Sequence, residues 1–93
     1  MRGLHLTVSE FAVPRGWRYE YVHEMPSIER DIGDYTIVIG YDDSEITRAN
    51  KHPWIWWLCP KGDQKAISMS DSRDLMSAMA DALDALCLLL EKA

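Results

Sequence analysis

Three histidines and two cysteines are the side chains with which this 93-residue chain could bind a metal ion. They are His5, His23, His52, Cys59 and Cys87. Structural zinc sites need closely spaced pairs of such residues, and helical zinc motifs place two histidines four residues apart. Neither spacing occurs here, so we expect no metal ion and no cofactor.

A nucleophilic thiol is the next possibility, and it requires a histidine beside the cysteine. His52 precedes Cys59 in the chain, but Cys59 lies among apolar residues, where burial raises the pKa of a thiol. The neighbouring carboxylates Asp42 and Asp43 have no apolar surroundings that would separate their pKa values for acid–base catalysis. The sequence therefore predicts a protein that is not an enzyme.

The formal net charge is −5, and the acidic residues are unevenly distributed. Residues 24–50 hold seven acidic and two basic side chains, and residues 71–93 hold five and two. Such a surface repels phosphate backbones and attracts basic proteins. We therefore expect a partner with a basic protein surface and no direct binding to nucleic acid.

The polar loop of residues 42–52 carries the densest group of acidic residues. Loops of this length in compact domains are often functional. Its carboxylates Asp42, Asp43 and Glu45 are candidate partner-binding residues, and replacing them with serine is expected to slow association while leaving the fold intact.

Alternation of apolar and polar residues, with turn-forming residues between the runs, predicts five strands. They span residues 4–8, 17–23, 35–41, 54–59 and 66–69. The interval 23–34, with Pro26, Gly33 and several charges, is predicted to be an exposed connection. A long C-terminal helix completes an α+β fold, in which an antiparallel meander of about five strands packs one face on the helix. Residues 1–93 are predicted to form a single domain.

The helix is predicted to begin after a cap at Asp71 or Ser72 and to end near Glu91. At about 100° per residue, its apolar stripe places five large side chains on one side. They are Leu75, Met79, Leu83, Leu86 and Leu90. This stripe, with Ala78, Ala82 and Leu89 on its other flank, is the predicted core face.

The opposite face of the helix is acidic. It carries Asp74, Asp81, Asp84 and Glu91, with Leu88 among them. A single exposed leucine is ordinary on a protein surface, but one surrounded by carboxylates would also fit an apolar depression on a basic partner. Asp81, Asp84 and Leu88 are therefore candidate partner-binding residues.

The segment PWIWWLCP, residues 53–60, is the most aromatic in the chain. In a strand its side chains alternate between faces. We expect Trp54, Trp56 and Leu58 to face the helix, and Trp57 to lie on the face that the helix does not cover. There Trp57 meets either the connection at residues 24–34 or the surface of a partner.

The chain begins without the apolar core of a signal peptide, and it has no run of about 18 apolar residues that could cross a membrane. The two cysteines lie in apolar surroundings and follow no disulfide or redox spacing. These features predict a cytoplasmic protein with free thiols and no membrane partner.

In size, acidity, single-domain form and lack of a catalytic motif, the chain resembles small phage-encoded inhibitor proteins, anti-CRISPR proteins among them. This resemblance concerns the general character of the whole chain and assigns no role to any single residue. It implies a non-enzymatic inhibitor or regulator whose acidic surface imitates nucleic acid and blocks a basic nucleic-acid-binding complex.

A second hypothesis is a homodimeric module that binds a small ligand or a peptide, or acts as a regulatory or antitoxin-type protein. Such a dimer would bury the second face of the sheet between two copies. The two hypotheses differ in solution, because the first predicts a salt-sensitive complex of a monomer and the second a salt-resistant dimer.

Overall fold

Five strands and one helix follow one another in the computed structural model, which describes residues 13–22, 25–42, 51–63 and 65–92. The strands are β1 (Arg18–Val22), β2 (Met25–Ile32), β3 (Tyr35–Tyr41), β4 (Trp54–Pro60) and β5 (Ser68–Ser72), and the helix is α1 (Leu75–Lys92). Each strand pairs antiparallel with the next, which gives the sheet order β1-β2-β3-β4-β5. The predicted α+β meander with one C-terminal helix is confirmed.

Tight turns keep consecutive strands adjacent in the sheet. Gly33, with a φ of 60°, turns β2 into β3, and Gly62, with a φ of 83°, follows β4. Both positions lie in the left-handed region of backbone conformation, which glycine adopts without a steric penalty from a Cβ atom. These turns produce the hairpin pairing of neighbouring strands.

β2 corrects the prediction of an exposed connection over residues 23–34. Ile28 of β2 is fully buried in the core, whereas Glu29 and Asp31 point to the opposite face of the sheet. The charges concealed this alternation in the sequence. They are tolerated in a strand because they lie beside Arg18 of β1, with which both carboxylates form ion pairs.

The other predicted strands vary in how well they agree with the structure. Those at residues 17–23, 35–41 and 54–59 coincide with β1, β3 and β4. The last strand lies two to three residues later than predicted, at Ser68–Ser72, because the turn after β4 extends further along the chain. The predicted strand at residues 4–8 falls outside the described residues.

The hydrophobic core lies between α1 and one face of the sheet. Its buried members are Trp17, Ile28, Ile37, Ile39, Trp56, Leu58, Ala78, Ala82 and Leu86, with Trp54 packed against them. The prediction that Trp54, Trp56 and Leu58 face the helix is therefore confirmed.

α1 begins later than predicted, because Asp74 caps it in place of Asp71 or Ser72. The Asp74 carboxylate accepts a hydrogen bond from the Ser77 N–H at 2.8 Å, and its carbonyl accepts one from the Ala78 N–H at 3.0 Å. Asp71 and Ser72 instead form the end of β5. The bond from the Ser77 N–H lowers the pKa of Asp74, as expected for a carboxylate at a helix N-terminus.

The buried stripe of α1 agrees with the predicted core face but shows a small rotation toward its alanine flank. Ala78, Ala82 and Leu86 form its centre, and Leu90, predicted as core, is 53% exposed. Turning two alanines toward the sheet lets the helix backbone approach the strands closely, and the larger residues then lie to either side. Leu90 is on the side that this rotation leaves exposed.

Candidate functional site

The face of the sheet opposite α1 carries one continuous row of side chains. The register places Arg18, Glu29, Val38, Trp57 and Met69 side by side across all five strands. Because side chains alternate along a strand, this row lies on the side that does not pack on the helix. We call this surface, formed by the row and its same-side neighbours, the distal face. The prediction that Trp57 lies on this face is confirmed.

Arg18 forms the centre of an ion-pair network at the β1 side of the distal face. Its Nη2 donates to Glu29 Oε1 at 2.8 Å and to Asp31 Oδ1 at 3.2 Å, while its Nη1 donates to Asp31 Oδ2 at 3.3 Å. Thr36 Oγ1 donates a further hydrogen bond to Asp31 Oδ1 at 2.7 Å. Two carboxylates and a guanidinium are thereby held in fixed positions.

The pKa values of Asp31 and Arg18 shift in the direction that favours the charged form of each. The Thr36 hydroxyl, followed by the Arg18 guanidinium, lowers the pKa of Asp31. The pKa of Arg18 is raised, mainly by its hydrogen bond to Asp31. Asp31 and Arg18 thus bear their charges at neutral pH.

A groove of about 420 Å³ lies beside the network on the distal face. Val38, Trp57 and Cys59 contribute its apolar lining, and Trp57 is only half-buried. Charged residues surround this lining: Arg18, Glu29, Asp31, Lys61 and Asp63. The volume falls within the range of sites that accept small ligands or peptide side chains. The groove therefore offers part of an indole ring beside three carboxylates and two cationic groups.

The thiol of Cys59 is not activated for chemistry. Its burial, followed by the negative charges of Asp63 and Glu29, raises its pKa, as its sequence surroundings predicted. His52 lies at the opposite end of β4, on the order of 20 Å away along the strand. Its Nδ1 is 3.5 Å from Asp71 Oδ1. The structure thus does not bring His52 and Cys59 together.

The acidic face of α1 lies on the other side of the sheet from the groove. Asp81 and Asp84 are exposed there, and Leu88 is 58% exposed. Asp81 also has a structural contact, because its Oδ2 accepts a hydrogen bond from the buried Ser72 hydroxyl at 2.9 Å. Of the three predicted partner-binding residues on the helix, Asp84 and Leu88 make no side-chain hydrogen bond to the sheet in the described structure.

Of the predicted loop at residues 42–52, the structure describes only Asp42, Lys51 and His52. Asp42 is half-buried, and its N–H donates to the Pro53 carbonyl at 2.8 Å, which extends the pairing of β3 and β4. Asp43 and Glu45 lie outside the described residues.

The predicted partner-binding residues therefore belong to separate surfaces. Trp57 lies on the distal face, whereas Asp84 and Leu88 lie on α1. The sheet separates Trp57 from the two helix residues. One flat partner surface cannot contact Trp57 and Leu88 together. A single flat partner surface would therefore bind either the distal face or α1.

Sequence reasoning missed the charged residues of the groove, namely Arg18, Glu29, Asp31, Lys61 and Asp63. A usable signal was present in the alternation of Ile28 and Ile32 with Glu29 and Asp31. A strand with one buried apolar face and one charged face has this pattern.

The described residues contain no group of three histidine, cysteine or acidic side chains close enough to hold a metal ion. Within the same part of the chain, no helix is both long enough and apolar enough to cross a membrane. Comparison with protein-family models, curated proteins and solved structures found no match to the chain. Its function must be inferred from the two surfaces themselves.

Proposed function

We propose that this chain is a non-enzymatic binding module that holds a basic segment of a partner protein in the groove of the distal face. The observation that supports this function is the half-buried Trp57, which lines a groove of about 420 Å³ with carboxylates around it. The groove combines an apolar anchor with charges that select the sign of the ligand.

The chemistry of the groove suits a lysine or arginine side chain. A cationic head group is attracted to the face of an indole ring, and its aliphatic stem can pack on Val38. Glu29 and Asp31 already hold the guanidinium of Arg18 at 2.8 and 3.2 Å, so their geometry accommodates a group of this type. An arginine from a partner would extend the same kind of pairing.

Charge on the distal face supports a basic partner as well. Its acidic residues are Glu20, Glu29, Asp31, Asp63 and Asp71, and its basic residues are Arg18 and Lys61. The excess of acid, together with the formal net charge of −5, attracts basic surfaces at long range. Proteins that bind nucleic acid present such surfaces, and covering one would inhibit it. This is the role that the resemblance to phage-encoded inhibitors implies.

A second candidate surface is the acidic face of α1. The observation that favours it is Leu88, which is 58% exposed among carboxylates and would insert into an apolar depression of a basic partner. The two candidates take partners of similar chemistry but use opposite sides of the molecule, so substitutions can separate them.

The test is selection of a random peptide library on the immobilised protein, followed by affinity measurements with the selected peptides. We expect the peptides to be enriched in lysine and arginine and to bind more weakly at high salt. Trp57→Ala should raise the dissociation constant by about tenfold or more, because it removes the apolar anchor. Leu88→Ala should leave the dissociation constant unchanged.

A charge-matched pair of variants provides the control. Glu20→Gln with Asp71→Asn removes two negative charges from the distal face, and Asp84→Asn with Glu91→Gln removes two from α1. We expect only the first variant to lower the association rate markedly. If the α1 variant and Leu88→Ala weaken binding instead, the second candidate is correct. Peptides without basic residues would contradict both.

A further inference from the structure

A second apolar stripe runs along α1, separate from the one that packs on the sheet. It consists of Met76, Ala80, Leu83, Cys87 and Leu90, at successive spacings of four, three, four and three residues. We call these five residues the helix seam. At 3.6 residues per turn, the seam lies about 120° around the helix from the buried stripe.

The helix seam is largely open to solvent. Met76 is 75% exposed and Leu90 is 53% exposed. Ala80 and Cys87 are also exposed, and Leu83 is half-buried. Leu83 packs partly against the core, but packing on the sheet does not account for the apolar character of the other four positions.

The spacing of the seam indicates what could cover it. Apolar residues that recur at alternating spacings of three and four positions form the stripe along which one helix packs on another. In the described part of the chain α1 is the only helix. A second copy of the chain would bring an identical helix to face it.

The seam is complementary to itself when two helices run antiparallel. Met76 and Leu90 lie seven residues to either side of Leu83, and Ala80 and Cys87 lie three and four residues from it. In an antiparallel pair centred on Leu83, each Met76 meets the Leu90 of the second copy. Such two-fold matching of one patch with itself is the usual form of a dimer interface.

The charges at the helix ends favour the same arrangement. Arg73 lies two residues before the first residue of α1, next to the capping Asp74, and Glu91 lies in its last turn, next to Lys92. An antiparallel pair brings the Arg73 end of one copy beside the Glu91 end of the other. It also places the two helix dipoles side by side in opposite directions, which is favourable. Asp84 approaches its counterpart near the dimer axis and opposes this attraction in part. A parallel pair would align like charges along the whole helix.

We propose that two copies of this chain associate through their helix seams as an antiparallel helix pair. This dimer leaves the distal face of both copies free, so it goes beyond the proposed function and does not depend on it. It also differs from a dimer that buries the second face of the sheet.

The association can be measured by sedimentation velocity over a wide range of protein concentration. We expect the wild-type chain to change from monomer to dimer as concentration rises. Met76→Glu with Leu90→Glu places like charges opposite each other across the pair and should raise the dimer dissociation constant by about tenfold or more. Leu88→Glu is the matched control, since Leu88 has similar exposure and lies outside the seam, and it should not change the constant.

The direction of the helices is tested by Met76→Lys combined with Leu90→Glu. In the antiparallel pair the introduced lysine faces the introduced glutamate, so the dimer persists and becomes sensitive to salt. In a parallel pair each introduced charge would face the identical charge on the second molecule, and this repulsion would dissociate the dimer.

Circular dichroism of each variant shows whether the fold is retained. A wild-type protein that stays monomeric at all concentrations would overturn the proposal. So would a loss of the dimer with Leu88→Glu in a folded protein, because that residue is outside the seam. Trp57→Ala should leave the dimer intact, which separates failure of this proposal from failure of the peptide-binding function.

Discussion

Trp56 and Trp57 are neighbours in the chain and lie on opposite faces of the same strand. Trp56 is 5% exposed and belongs to the core beneath α1. Trp57 is half-buried and lines the groove of the distal face. The two residues have the same side chain and nearly the same sequence surroundings, so only the face of the sheet distinguishes their roles.

The comparison shows how one strand can serve stability and binding at once. On the helix side, apolar side chains from α1 surround Trp56 and exclude water. On the distal side, Trp57 lies among ionised groups that include the network of Arg18 and Asp31. The helix covers one face only, and aromatic surface on the other face remains accessible from the groove.

The largest expected effect is the difference in the free energy of unfolding between alanine variants of the two tryptophans. Trp56→Ala should lower the free energy of unfolding by about 3–5 kcal/mol, because it leaves a cavity in the core. Trp57→Ala should lower it by about 1–2 kcal/mol, since a half-buried ring loses less apolar contact. Denaturant unfolding monitored by circular dichroism measures both values.

Trp56→Phe serves as the control for this experiment. In the described structure the indole N–H of Trp56 is buried without a hydrogen-bond acceptor, and phenylalanine removes that unfavourable group. We expect a smaller loss than for Trp56→Ala, because phenylalanine keeps most of the aromatic volume and leaves a smaller cavity. Equal losses for Trp56→Ala and Trp57→Ala would contradict the assignment of the two faces.

A second prediction tests how closely the distal face is packed beyond the groove. A Cβ atom at Gly40 would lie 2.6 Å from Met25 Sδ and 2.9 Å from Met25 Cγ. Gly40→Ala should therefore lower the free energy of unfolding by about 1–3 kcal/mol. Combining it with Met25→Ala removes the two shortest contacts and leaves Ser27 Oγ at 3.0 Å. The double variant should therefore lose less than the sum of the single variants. Additive losses would show that Met25 does not pack on Gly40.

The smallest expected effect comes from the ionic part of the distal face. Asp31 has a lowered pKa in the folded protein, so folding favours its carboxylate form. This stabilisation is present above the unfolded pKa of about 4 and is lost as the pH falls through the lower folded value. Asp31→Asn should slightly lower Tm at neutral pH and have no such effect at a pH of about 2.

Thermal unfolding of wild type and Asp31→Asn at both pH values measures this difference. Asp84→Asn, which removes an exposed carboxylate of α1, is the matched control and should not show the same pH-dependent difference in Tm. A Tm difference for Asp31→Asn that is equal at the two pH values would indicate a packing effect rather than the ion pair.

Much of the fold was predictable from periodicity. The alternation in residues 54–59 separated Trp54 and Trp56 from Trp57, because side chains alternate strictly along a strand. Which of the two sets faces the helix was a further expectation, and the core confirms it. The same rule applied to β2, but Pro26 and the charges of Glu29 and Asp31 led to the prediction of a loop. Polarity alone does not separate an exposed loop from a strand whose one face carries ion pairs.

The sequence by itself determined the class of fold, the long C-terminal helix, the acidic character of the chain and the opposite directions of Trp56 and Trp57. These properties follow from short-range periodicity and composition. Only the tertiary structure decided that Arg18, Glu29 and Asp31 meet beside Trp57, and that Leu88 lies on the far side of the sheet. Strand register and helix rotation arise from contacts between residues distant in sequence, and no local pattern specifies them.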